Sequence, residues 1–116
     1  MKRRRRWTGG QQVNSKTLWP GRKPSKDEPR VDVENPAPGE RPGQVHIQQG
    51  KEKYILERTV DGNHKWQYEF RNAENGDKPP GWVKDLLKNP DVRDAVLKGM
   101  QKYLNERGFN FSKVVR

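Results

Sequence analysis

The sequence predicts a small α+β domain: an antiparallel sheet of three to four strands packed on two helices, preceded by a basic extended arm. Three observations predict it. Apolar residues concentrate late, with 8 in residues 1–44 and 25 in residues 45–116. Between residues 45 and 70 they recur at every second position, the period of a half-buried strand. Between residues 82 and 104 they recur three and four apart, the period of a helix with one buried face.

Taken in chain order, residues 1–30 read as a basic flexible arm or linker, and residues 31–116 as the domain. In the arm, Arg3, Arg4, Arg5 and Arg6 repel one another, and Pro20, Pro24 and Pro29 oppose regular structure. Residues 31–44, VDVENPAPGERPGQ, read as an extended loop punctuated by Pro36, Pro38 and Pro42. Val45 and Ile47 alternate with His46 and Gln48 in a first strand, and Gln49-Gly50-Lys51 turns the chain. Lys53–Arg58 gives a second strand, and Asp61-Gly62-Asn63 a second turn. Trp66, Tyr68 and Phe70 then alternate with Gln67, Glu69 and Arg71 in a third. After Pro79-Pro80, Trp82, Val83, Leu86 and Leu87 mark a short helix. Asn89 caps a longer one, with Pro90 at its first position and Asp91 and Asp94 at its positive end. Arg107 and Gly108 end it, and Phe109, Phe111 and Val114 fit a last edge strand.

Charge is as uneven as hydrophobicity. Residues 1–30 carry ten Lys/Arg against two acids, whereas residues 31–116 carry fifteen against thirteen. An arm of this kind implies a polyanionic partner, nucleic acid ahead of a membrane surface, against the plainer reading of a solvated tail. With no cysteine, disulfides, Cys-ligated zinc and thiol catalysis are excluded. No apolar run approaches the roughly 18 residues of a spanning helix, and the charged N-terminus lacks the apolar core of a signal peptide. Phosphate-cradling, dinucleotide-binding and serine-hydrolase motifs are absent, two histidines make no zinc pattern, and neither metal nor cofactor is expected.

The strand alternation sets Val45, Ile47, Tyr54, Leu56, Trp66, Tyr68 and Phe70 toward the helices. The other face then gathers His46, Gln48, Lys53, Glu57, Lys65, Glu69 and Arg71 toward solvent. An imidazole, carboxylates and cations are what metal-free RNA cleavage needs: one group takes the 2′-hydroxyl proton, another protonates the leaving 5′-oxygen, and Lys or Arg steadies the phosphorane. His46 fits either proton role, while His64 falls in a turn. The plainer reading is a solvated sheet face without function.

The stretch NPAPGERPGQVHIQ, residues 35–48, followed by Lys53-Tyr54, Pro79-Pro80 and Leu86-Leu87-Lys88-Asn89-Pro90, resembles C-terminal toxin domains of bacterial polymorphic toxins of the contact-dependent-inhibition and Rhs type. The resemblance covers about residues 31–107. It implies a metal-independent ribonuclease of the barnase/EndoU/colicin-like group, with Arg41, His46, Gln48 and Lys53 as site candidates. It also implies a carrier protein N-terminal to the domain, delivery into the cytoplasm of a target bacterium, and a cognate immunity protein. That partner is acidic if it plugs a cationic cleft.

The resulting expectation is a toxin cleaving tRNA or rRNA. His46 moves a proton, Arg41 and Lys53 hold the scissile phosphate, and Gln48 or Glu69 positions the hydroxyl or shares the acid–base work. Arg3, Arg4, Arg5, Arg6, Lys65 and Arg71 bind RNA phosphates, and Trp7 or Trp19 stacks on an unpaired base. The alternatives are a non-enzymatic nucleic-acid-binding module, or a toxin of other chemistry, a DNase or an NAD-consuming enzyme.

Overall fold

A computed structural model describes residues 9–20 and 28–115, and the backbone alone of Arg4 and Arg5. Six strands form one antiparallel sheet: β1 (Arg4–Arg5), β2 (Val13–Trp19), β3 (Arg30–Asn35), β4 (Gln44–Gln49), β5 (Glu52–Val60) and β6 (Trp66–Asn72). Five of them, of six to nine residues, run in the order β2-β3-β4-β5-β6. Strand β6 covers one edge of β5 from Tyr54 to Val60. Strand β1 therefore lies on β5's other edge, at Arg58 and Thr59, in line with the end of β4.

The predicted sheet of three to four strands on two helices is corrected here: among the described residues the sheet has five full strands and there is one substantial helix. Strand β3 occupies what the sequence reads as loop. Val31 and Val33 alternate with Asp32 and Glu34, but Pro29 and Pro36 bracket the segment closely and hide it. Strand β2 lies within the presumed arm. Its pairing with β3 slips twice, between Val13 and Lys16 and between Thr17 and Trp19, so its sequence shows no regular alternation.

The first helix, α1 (Gly81–Leu86), is six residues long. It stops because Asn89, preceding Pro90, must be extended (φ −76°, ψ 122°). Helix α2 (Pro90–Lys98) starts as predicted, the Asn89 side chain accepting from the Asp91 N–H at 2.9 Å. It continues through a π turn, Gly99–Tyr103, closed by the Leu104 N–H on the Gly99 carbonyl at 3.0 Å. The expected last strand is instead a 3₁₀ turn, Phe111–Lys113, followed by a single parallel bridge from Val114 to Tyr68.

The core lies between α2 and one sheet face. Val92, Val96 and Met100 meet Val31, Val33, Val45, Ile47, Leu56 and Phe70, all essentially inaccessible to water. Gly99 sets the depth of this contact, since a Cβ there would come within 2.7 Å of Val45 Cγ2. The side chain of buried Asn35 ties the N-terminal segment to the helix end. Its amide donates to the carbonyls of Gly9 (3.0 Å), Gln11 (3.0 Å) and Tyr103 (3.3 Å). No helix among the described residues is long and apolar enough to cross a membrane.

Candidate active site on the polar sheet face

Register decides what meets on the face away from α2. Asp32 lies opposite His46, His46 opposite Ile55, and Ile55 opposite Arg71, a row across four strands. A second row runs Arg30, Gln48, Lys53, and Glu57 sits opposite Glu69. The sequence-predicted grouping of His46, Gln48, Lys53, Glu57, Glu69 and Arg71 on one face is therefore present. The predicted solvation is not: His46 is 1% exposed, Asp32 and Glu69 5%, Glu57 8%.

The imidazole has one partner. His46 Nε2 lies 3.3 Å from Asp32 Oδ2, which also accepts from Arg30 Nε at 2.8 Å. Burial raises the Asp32 carboxyl, but hydrogen bonds from His46, Arg30 and Thr17 outweigh it and lower it to about 2. An ionised carboxylate can only accept, so it fixes the ring proton on Nε2. The ring's other nitrogen, Nδ1, is inaccessible and has no hydrogen-bond partner among the described residues. A carboxylate that orients an imidazole and leaves its other nitrogen as base is the arrangement general-base catalysis uses.

The other predicted residues separate. Glu69 is held by Thr59 Oγ1 (3.0 Å), Gln67 Nε2 (2.7 Å) and Arg71, whose Nε donates at 2.7 Å and whose second guanidinium nitrogen also pairs with it. Held by these donors, Glu69 serves as an anchor for Arg71. Gln48 donates to the Gly50 carbonyl at 3.0 Å and holds the β4–β5 turn. Lys53 faces Glu34 at 3.9 Å, both partly exposed. Arg41 is exposed in the loop before β4, and among the described residues it makes no side-chain bond to this face. Lys65 is exposed at the β5–β6 turn, well away from His46.

Trp19 pairs in register with Val31 and so belongs to the helix side, where it and Trp82 line a cavity of about 360 Å³. It cannot stack a base over His46. Arg3, Arg6 and Trp7 lie outside the described residues, as do the side chains of Arg4 and Arg5. The residues the sequence reading missed are Arg30 and Asp32, and the signal for them was the Val31/Val33 alternation, which puts Asp32 in step with His46.

Among the described residues each cation of this face has an acidic partner. Arg30 pairs with Asp32, Lys53 with Glu34 and Arg71 with Glu69. Among the described residues no group of three or more His, Asp or Glu side chains is arranged to hold a metal ion. Comparisons of the chain with protein-family models, curated proteins and solved structures found no match.

Proposed function

We propose that this chain is a metal-independent ribonuclease, the toxin domain of a larger secreted carrier, cleaving tRNA or rRNA in the cytoplasm of a target bacterium and neutralised by a cognate immunity protein. The observation that carries the reading is the buried Asp32–His46 pair with His46 Nδ1 left unpaired. A buried polar atom without a partner costs about 1–3 kcal/mol, and at His46 a role in proton transfer accounts for that cost. In the reaction, Nδ1 takes the 2′-hydroxyl proton and the 2′-oxygen attacks phosphorus. The 5′-oxygen leaves as a hydroxyl on receiving a proton from a second donor, giving a 2′,3′-cyclic phosphate. Because the ring is 1% exposed, this reading requires the site to open before substrate reaches Nδ1.

The burial of the ring and the pairing of every cation on its face favour a second reading, a nucleic-acid-binding module without cleavage. Incubating the purified chain with total RNA in EDTA separates the two. Cyclic-phosphate ends that vanish in His46→Ala support the ribonuclease, and intact RNA that is nonetheless bound supports the module.

A further inference from the structure

The cations with no acidic partner lie elsewhere. At the far end of β5 and β6 an open groove of about 630 Å³ is lined by Arg58, His64, Lys65, Trp66, Gln67 and Lys113, a volume within the roughly 300–1,000 Å³ of ligand sites. Both walls are pinned. On one side the Asp61 carboxylate accepts from the N–H groups of Asn63 (2.8 Å) and Lys65 (3.0 Å), closing the turn that carries His64 and Lys65 outward. On the other, Asn110 caps Ser112 at 2.9 Å, and the Val115 N–H donates to the Tyr68 carbonyl at 2.7 Å, fixing Lys113 beside β6. The floor is the Arg58 guanidinium over the Trp66 ring, 4.5 Å from its centre, with Arg58 steadied by Glu106 at 3.5 Å. Lys65 and Lys113 are exposed, and among the described residues neither lies within ion-pair distance of an acid, although the Asp61 carboxylate on the same wall feels the charge of Lys65. Gln67 shares the polar face with Glu69, whereas Arg58 and Trp66 stand on the core face. The groove therefore wraps the sheet edge, and Arg58 lies about 10 Å along β5 from Ile55, the residue opposite His46.

We infer that this groove binds a single strand of nucleic acid, with Lys65 and Lys113 taking phosphates on its two walls and Arg58, Trp66 and Gln67 forming the floor. An open groove with exposed cations on both walls and a stacked Arg–Trp floor suits a flexible phosphodiester chain, whereas a folded acidic protein needs a broader patch. The inference rests on reading the partner as nucleic acid and not on cleavage.

The test is fluorescence anisotropy of the full chain with a short labelled DNA single strand, which lacks the 2′-hydroxyl and so cannot be cut by the proposed chemistry. Lys65→Ala/Lys113→Ala is compared with Lys84→Ala/Lys98→Ala, which removes the same charge from exposed sites on the helices. The groove variant should bind at least about fivefold more weakly. Its slope of log K against log salt should shrink by about 1.4, at about 0.7 for each single-strand phosphate contact, while the helix variant changes less than about twofold. Equal weakening by both variants, or no weakening by the first, overturns the inference whatever RNA cleavage shows. An absence of cleavage with selective weakening leaves it standing. A groove variant that keeps its DNA affinity but loses co-sedimentation with phosphatidylglycerol vesicles assigns the groove to a membrane surface and also overturns it.

Discussion

Asp32→Asn perturbs the candidate site at its electrostatic centre while keeping its shape. In the folded chain the Asp32 carboxyl sits at about 2, against an ordinary value of 3.8. A group held below its unfolded value contributes stability that is complete above the unfolded value and disappears as pH falls through the folded one. At about 1.4 kcal/mol per unit, the contribution is about 2 kcal/mol at pH 6 and most of it is gone at pH 2.5. Urea unfolding of both proteins from pH 6 to pH 2.5 reads this directly. The wild type should lose about 1–2 kcal/mol more than the variant over that window. Parallel stability curves would refute the assignment of Asp32 as an ionised, ring-holding carboxylate. The same variant bears on the chemistry, because an amide here no longer fixes the proton on Nε2. In the one well-studied aspartate-to-asparagine change of this type, the wrong tautomer costs about 10⁴ in rate, so RNA cleavage by Asp32→Asn should fall by orders of magnitude more than its stability alone explains.

Three further outcomes are expected. His46→Ala should lower RNA cleavage in EDTA by at least about 100-fold, the usual scale for a lost general base, with the circular dichroism spectrum of the sheet unchanged. Gly99→Ala should cost about 1–3 kcal/mol in urea unfolding, because the new methyl meets Val45 and forces α2 off the sheet. Asn35→Ala should cost about 1–3 kcal/mol and speed amide hydrogen exchange at Gly10–Gln12, since three carbonyl contacts that hold the N-terminal segment are lost.

Legibility followed signal strength. Strands β4 and β6 were readable because alternation runs through them unbroken, β5 less cleanly because Ile55 falls between Tyr54 and Leu56, and α2 because cap, proline and stripe agree at Asn89, Pro90 and Val92. Strand β3 has the same alternation over only four residues between prolines, and β2 has none because its bulges reset the register. The consequence for the site is direct. With β3 read as loop, Asp32 had no face, and His46 was placed alone on a wet surface. Burial was the second thing hidden: alternation gives the direction of a side chain but not what covers it, so a polar face was read as a solvated one.

The stretch from Asn35 to Gln48 divides into two physical jobs. Its first part is scaffold: Asn35 binds three backbone carbonyls, and Gly43 is bare because a Cβ would come within 2.8 Å of the Asn35 side chain. Packing Gly43 against Asn35 sets where β4 begins, and the start of β4 sets which residue stands opposite Asp32. A slip of one position would turn His46 into the core and Val45 or Ile47 out of it. Arg41, between these anchors, closes a turn through its backbone N–H on the Ala37 carbonyl at 2.8 Å, while its exposed side chain makes no bond among the described residues, so the loop does not need that side chain for its shape. The pairing of cations on the His46 face carries the complementary point. A face whose described cations are already paired attracts a polyanion weakly, so on the proposed reading the pull on RNA comes from the basic N-terminal segment and from the groove at Lys65 and Lys113. Binding and chemistry are thus assigned to different parts of one sheet, and removing cations from the groove should weaken binding without disturbing the Asp32–His46 pair.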